Sequence, residues 1–177
     1  QAAAARWAVP SENLLYADVD GNIGWVVAGL TPVRQGWNGL FPVPGQDGRY
    51  EWEGFLPAGE LPRAFNPASG TIATANQNIL PPGYDKVLGY DWSPPYRYRR
   101  IVEALAQRPT WDVAGFEGLQ RDVLSLPALR VIDALRVAVA TVPVEGPDRA
   151  FAVKMLTSWD GQLTGTSAPA ALYELWL

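Results

Sequence analysis

The stretch YADVDGNIGWVVAG, residues 16–29, decides the fold that this sequence predicts. Asp20 and Gly21 stand between two apolar runs, and an Asp-Gly pair in that setting is a strong signal for a β-hairpin. Successive side chains of a strand point to opposite faces, and Leu15 and Tyr16 are both largely apolar. Such a hairpin is typical of a larger sheet that is covered on two sides.

The composition of the chain excludes several kinds of catalytic site and metal site. The chain has 177 residues, 48% of them hydrophobic and 18% charged, which suits one domain with a real core. Histidine and cysteine are absent, which excludes Ser-His-Asp and Cys-His catalysis, disulfides and histidine- or cysteine-ligated zinc within the chain. A catalytic base would be a carboxylate, a lysine, a terminal amine or water. The net charge of -4 offers no broad basic surface for nucleic acid, and no apolar run is long enough to span a bilayer.

The distribution of proline divides the chain by structure. Residues 1–92 are rich in Pro, Gly and Trp and are predicted to form strands and ordered loops, whereas residues 93–177 are predicted to be mainly helical. Within the first part, QAAAARWAV (residues 1–9) is predicted as a helix, because alanine is the best helix former. Thr71–Ala75 is predicted as a further strand.

Helix signals begin at Ser93 and Pro94, a capping hydroxyl followed by a proline suited to a first turn. They predict a helix that runs to about Gln107. Its apolar face consists of Ile101, Ala104 and Leu105. Further helices are predicted over residues 112–124, 128–140, 147–158 and 168–177.

Three motifs have both a functional and a structural interpretation. DVDG (residues 18–21) resembles the start of a calcium-binding EF-hand loop, but its glycine comes fourth rather than sixth, which favours a hairpin turn. YRYRR (residues 96–100) mixes aromatic and basic side chains, as nucleic-acid-binding segments do, yet in an acidic chain structural ion pairs are favoured for most of these arginines. The eight tryptophans either form a sugar-binding platform or fill the Pro-rich loops, and loop filling is favoured.

A polar run, ATANQN (residues 73–78), follows the predicted strand. The side-chain amides of Asn76 and Asn78 could donate hydrogen bonds to a developing oxyanion. The alternative is a turn with asparagine in the left-handed conformation. From this stretch alone the turn is favoured.

Five stretches together resemble the β subunit of the penicillin acylase (penicillin amidase) family. They are NLLYADVDGNIGWVVAG, FPVPGQDGRYEWEGFLP, FNPASGTIATANQN, DWSPPYRYRRI and SWDGQL, in the order and spacing of that family. The likeness covers nearly the whole chain and is most specific up to about residue 109. It implies an α+β fold, part of the αββα sandwich of an N-terminal-nucleophile hydrolase. Antiparallel strands are then expected in the N-terminal half and helices in the C-terminal half.

The resemblance also implies how such an enzyme works without histidine. In that family a precursor cuts itself to expose a serine at the start of the β subunit. The serine attacks an amide carbonyl, and its own α-amine is the base. The present sequence begins at Gln1 without that serine. We therefore expect residues 1–177 to be a single piece of a larger penicillin acylase β subunit, inactive alone, with the nucleophile outside it.

The resemblance assigns roles to individual residues. Alignment on the pattern G-x-I-A places the asparagine of the family's oxyanion hole at Asn76, whose amide would donate to the tetrahedral intermediate. An arginine near the start of the next helix, which steadies that asparagine and the terminal amine, aligns with Arg97. No cofactor is implied for catalysis. A structural calcium is implied for the complete enzyme, with the backbone carbonyl of Gly39 as one ligand and a carboxylate near Asp85 as another.

The implied partners are the α subunit, the rest of the β subunit and a small-molecule amide substrate, with no nucleic acid and no membrane. The implied compartment is periplasmic or extracellular. A hairpin that is apolar on both faces predicts that the isolated piece self-associates or needs a partner chain. The alternative function is a non-catalytic binding module that uses exposed tryptophans to bind glycans or aromatic ligands.

Overall fold

The computed structural model describes residues 2–176. The chain forms two compact units, Gln1–Pro95 and Tyr96–Leu177. Within the described residues, every β-strand lies in the first unit and every α-helix in the second. The strand-rich first half and the helical second half are those that the sequence predicts. In this described part of the chain, no helix is long and apolar enough to cross a lipid bilayer.

The first unit is built on two antiparallel sheets. One has three strands in the order β1-β2-β5, and the other pairs β3 with β4. The strands are β1 (Glu12–Ala17), β2 (Ile23–Ala28), β3 (Pro32–Arg34), β4 (Trp52–Phe55) and β5 (Arg63–Phe65). Short 3-10 turns span Ala4–Arg6 and Ala58–Glu60. The hairpin predicted around Asp20 and Gly21 is therefore the β1–β2 pair of the larger sheet.

The hairpin turn is held by one carboxylate rather than by the Asp-Gly pair alone. Asp18 Oδ1 accepts hydrogen bonds from the backbone N–H groups of Asp20 (3.1 Å) and Asn22 (2.8 Å), and Asp18 Oδ2 accepts one from Asn22 Nδ2 (2.9 Å). The hydrogen bond from the Asn22 side chain is the main cause of a lowered pKa at Asp18. Gly21, with φ of 84°, supplies the left-handed residue that lets the chain reverse.

Asn66 connects this turn to the third strand of the sheet. Its side chain accepts a hydrogen bond from the backbone N–H of Ile23 (2.9 Å) and donates one to Asn22 Oδ1 (2.8 Å). Asn66 directly follows β5 and has φ of 45°, a left-handed conformation that asparagine tolerates better than most residues. The register of β5 on β2 is thus fixed at the same point as the hairpin turn.

Burial in this sheet falls mainly on its central strand. Gly24 and Ala28 of β2 are buried, whereas Leu15 and Tyr16 of β1 are 47% and 46% exposed. Tyr16 lies opposite Gly24 in the ladder, and its ring occupies the space that a Cβ on Gly24 would need. The predicted cover on both faces is therefore incomplete over β1 within residues 2–176.

Two predicted elements of the first unit are wrong. In place of the N-terminal helix, residues Ala4–Arg6 form a single 3-10 turn (Gln1 lies outside the described residues). A run of nine residues is too short for alanine's propensity alone to hold a helix, and a hydrogen bond from Leu30 N to Ala8 O places the following chain alongside the end of β2.

The predicted strand Thr71–Ala75 is not a strand. This segment pairs with no strand of the described residues, and Ala75 N donates instead to the side chain of Gln77. A backbone N–H that is bonded to a nearby side chain is not available to a ladder.

The second unit contains all five helices that the sequence predicts, with shifted ends. They are α1 (Tyr96–Leu105), α2 (Val113–Gln120), α3 (Leu126–Val139), α4 (Pro147–Thr157) and α5 (Ala168–Trp176). The side chains of Asp112 and Ser125 cap α2 and α3 by accepting from Gly115 N and Ala128 N. Leu177, the last residue of the predicted final helix, lies outside the described residues.

The core of the second unit joins α3, α5 and the segment after α4. Its buried members are Ala128, Ile132, Trp159, Ala170 and Tyr173. The rings of Trp159 and Tyr173 pack with centroids 5.6 Å apart. On α1, Ala104 and Leu105 are buried, so the predicted apolar face of that helix is confirmed.

Removing the carboxylate of Asp18 should lower the melting temperature of the protein, because two backbone N–H groups of the turn lose their acceptor. The lowered pKa of Asp18 means that this contribution is complete above its unfolded pKa and is lost as the pH falls through its folded pKa. The gap between the wild type and Asp18→Ala should therefore shrink in acid, below about pH 3.9. Thermal melting across pH measures it.

Asp20→Ala is the matched control, because it removes a second carboxylate from the same turn. It should change the melting temperature much less than Asp18→Ala. Equal effects of the two variants, or a gap that persists in strong acid, would contradict this account of the turn.

Truncating Ile132, which is 1% exposed, should destabilise the protein by about 2–5 kcal/mol, because Ile132→Ala leaves a cavity in a packed core. Val137 lies on the same helix and is 71% exposed, so Val137→Ala should cost no more than about 0.5 kcal/mol. Denaturant unfolding of both variants checks the difference. A small effect of Ile132→Ala would mean that this cluster is not the core.

Candidate active site

The residue that the resemblance assigns to an oxyanion hole stands at a bend of the first unit. Asn76 has φ of 61°, a left-handed conformation, and it is exposed. Its neighbours Ala75 and Gln77 are 8% and 9% exposed, respectively. Two buried residues thus flank an exposed one at this bend.

Hydrogen bonds hold this bend on both sides of Asn76. Gln77 Oε1 accepts a hydrogen bond from Ala75 N at 2.7 Å. The carbonyl oxygen of Asn76 accepts another from Ser93 N at 2.8 Å. The backbone at Asn76 is therefore tied to its own loop and to the segment that precedes α1.

The two sequence interpretations of ATANQN prove compatible. The left-handed asparagine that the turn interpretation predicts is present at Asn76. That conformation concerns the backbone, whereas oxyanion stabilisation would use the side-chain amide. A non-glycine residue held in a sparsely populated conformation by its surroundings is also a recurrent feature of functional sites.

Arg97, the second predicted site residue, is the second residue of α1 and belongs to the second unit. It is exposed, and it follows Ser93 by four residues along the chain. Three residues later, Arg100 donates two hydrogen bonds to Asp122, at 2.9 and 2.5 Å. This pairing raises the pKa of Arg100 and lowers that of Asp122. Structural ion pairs are predicted for most arginines of YRYRR, and Arg100 forms one of them.

Gln77 is the residue of this loop that the sequence reasoning missed. A lone glutamine within a polar run is usually exposed, so the pattern carries no signal for its burial. The only sequence hint is that two alanines, Ala73 and Ala75, come shortly before Asn76, which suits a tightly packed bend.

The implied calcium ligands do not form a metal site by themselves. A Cβ on Gly39 would lie 2.7 Å from Nε of Arg34, so a guanidinium lies against this loop and opposes a cation at the Gly39 carbonyl. Asp85 is exposed and pairs with Lys86 at 3.2 Å. Residues 2–176 contain no group of three or more carboxylates, histidines or cysteines that could hold a metal. A calcium site at Gly39 would need carboxylates from elsewhere in the complete protein.

Two partly buried tryptophans of the first unit, Trp25 in β2 and Trp37 in a loop, are anchored by hydrogen bonds. Trp37 donates to the carbonyl of Tyr50 at 3.0 Å, and Trp25 donates to Asn13 at 2.8 Å. The exposed tryptophans are Trp7, Trp52 and Trp176. Of these, Trp52 packs edge-on against Phe55, with ring centroids 6.1 Å apart. This pattern does not favour a binding module built on a tryptophan platform.

Comparison with known proteins places these residues in a family. The family model described as penicillin amidase matches residues 1–177. Penicillin acylase 2 proenzyme of Pseudomonas sp. (strain SE83) is 33% identical over 169 residues, which cover 95% of this chain and 21% of that protein. The acyl-homoserine lactone acylase QuiP of Pseudomonas syringae pv. syringae (strain B728a) is 37% identical over 175 residues, covering 93% of this chain and 21% of that protein. The chain thus spans about a fifth of the length of these curated relatives.

A solved structure supports the same assignment. The thermostable penicillin G acylase from Alcaligenes faecalis matches with a TM-score of 0.70 and 26% sequence identity, over 90% of this chain and 29% of that chain. This likeness confirms the α+β fold expected for an N-terminal-nucleophile hydrolase. The sequence, the order of strands and helices, and the family match agree, and this chain belongs to the penicillin amidase family.

Proposed function

We propose that the protein containing this chain hydrolyses carboxylic amides, releasing an acyl group from an amine, and that Asn76 helps to stabilise the oxyanion. The observation that carries the proposal is that Asn76, an exposed residue, lies on a bend anchored by two hydrogen bonds. The names of the relatives, penicillin acylase and acyl-homoserine lactone acylase, support an amide bond as the target.

Amide hydrolysis of this kind passes through a tetrahedral intermediate. A nucleophile adds to the carbonyl carbon, and the carbonyl oxygen takes up negative charge. The Asn76 Nδ2–H group would donate a hydrogen bond to that oxygen, most strongly when the charge has developed. The later collapse breaks the C–N bond, the leaving amine takes the proton that the base removed from the nucleophile, and water then hydrolyses the acyl-enzyme.

The nucleophile in this proposal is a serine supplied from outside these 177 residues, with its own α-amine as the base. That pairing needs neither histidine nor cysteine, which agrees with the composition of the chain. Arg97 has the role that the resemblance implies, steadying the asparagine and the terminal amine by charge and hydrogen bonding. The substrate would be a β-lactam side-chain amide, an acyl-homoserine lactone or another acylated amine.

The proposed partners are the remaining segments of the same enzyme, namely the α subunit and the rest of the β subunit. Support comes from the small share of its relatives that the chain spans. Exposed apolar side chains, such as Phe41 in the first unit and Phe151 and Leu175 in the second, are 73%, 66% and 87% exposed. Apolar surface of that kind is commonly covered by another segment or chain. By family resemblance, we also propose a periplasmic or extracellular location.

Replacing Asn76 by alanine in the complete enzyme should lower kcat by a factor on the order of 10²–10³, or about 3–4 kcal/mol, with little change in KM. The reason is that the hydrogen bond is made mainly in the transition state. Arg97→Ala should act in the same direction, and the double mutant should be less than additive. Steady-state kinetics with a chromogenic amide measures all three, with folding checked by melting.

Asn78→Ala is the matched control, because Asn78 is an exposed asparagine of the same loop whose Oδ1 accepts only a local bond from Leu80 N, at 3.0 Å. It should keep kcat near the wild-type value. Near-normal kcat in Asn76→Ala would refute the oxyanion assignment.

A further inference from the structure

We propose that Gln77 is a positioning residue for the reaction, because its side chain holds Asn76 in the orientation that oxyanion stabilisation requires. This inference rests on the proposed function of Asn76. It concerns a residue that itself touches neither the substrate nor the reacting atoms.

The burial of Gln77 is the first reason. Among the residues that the structure describes, Gln77 is the one buried residue with a polar aliphatic side chain, and it is 9% exposed. Burying an amide is unfavourable unless it is hydrogen-bonded. Its oxygen takes the Ala75 N–H at 2.7 Å, a short bond whose donor also lies in a buried residue.

The position of this bond is the second reason. It joins the backbone before Asn76 to the side chain after it, so it closes a small ring around Asn76. The Asn76 carbonyl is held separately by Ser93 N at 2.8 Å. Together these bonds maintain φ of 61° at Asn76, a conformation that a free asparagine populates only in part.

The direction of the Asn76 side chain follows from that backbone. If the bend relaxed to an ordinary extended or helical conformation, the Cα–Cβ vector of Asn76 would turn and its amide would point elsewhere. An oxyanion donor is effective only when it is already in place as the charge develops. Small misplacements of a catalytic group can cost up to about 10²-fold in rate.

The test is Gln77→Met in the complete enzyme, since methionine keeps the length and fills the buried space but removes the acceptor. We expect kcat to fall by about 10- to 100-fold while KM stays within about twofold. Gln77→Asn should lower kcat by a similar factor, because its amide is one methylene too short to reach Ala75 N. This second variant tests the proposal if methionine disturbs folding. Asn78→Ala is the control for a general loosening of the loop.

A second measurement separates positioning from ordinary stability. In an Asn76→Ala background the amide to be positioned is gone, so adding Gln77→Met should change kcat by less than about twofold. Equal losses in both backgrounds would overturn the inference, because Gln77 would then act through general structure. A normal kcat in Gln77→Met and Gln77→Asn alongside a slow Asn76→Ala would overturn it too, leaving the proposed function intact. A normal kcat in Asn76→Ala would overturn both.

Discussion

The carboxylate of Asp18 accepts hydrogen bonds from two backbone N–H groups and one side-chain amide. The β1–β2 turn, and with it the three-stranded sheet of the first unit, depends on these bonds. The bonds from Asp20 and Asn22 close the β1–β2 turn. The side chain of Asn22 also accepts a hydrogen bond from Asn66, which connects the turn to the end of β5. Because Asn66 also accepts from Ile23 N, the turn and the register of β5 are set together. The carboxylate is thus the anchor from which the three-stranded sheet extends.

A left-handed asparagine occurs both directly after β5 of this sheet and at the candidate active site. Asn66 and Asn76 are the non-glycine residues with positive φ in residues 2–176. Both occupy loops in which a side chain bonds to nearby backbone. Asn66 uses its amide within the sheet, whereas Asn76 is an exposed residue between two buried ones. One left-handed asparagine therefore stabilises the fold, and we propose that the other serves the chemistry.

The sequence predicts best those features of the structure that depend on residues close together in the chain. The Asp-Gly turn and the apolar face of α1 each depend on a few neighbouring residues, and both predictions are confirmed. The predicted N-terminal helix is wrong because so short a run is not held by alanine's propensity alone, and the predicted strand Thr71–Ala75 is wrong because Ala75 N donates to a side chain. Asn76 and Arg97 were found through family resemblance, and both stay predictions. Gln77 was missed, since burial of a lone glutamine depends on tertiary packing that no local pattern reports.

A crystal structure of the complete enzyme with a tetrahedral adduct on its nucleophile, such as a boronic acid adduct, would test the role of Asn76 most directly. The measurement is the distance from Asn76 Nδ2 to the adduct oxygen that occupies the oxyanion position. We expect a hydrogen bond of about 2.7–3.1 Å, with Asn76 still left-handed and Gln77 still bonded to Ala75 N. An adduct oxygen that is bound by other donors, with the Asn76 amide turned away from it, would show that Asn76 is not an oxyanion donor.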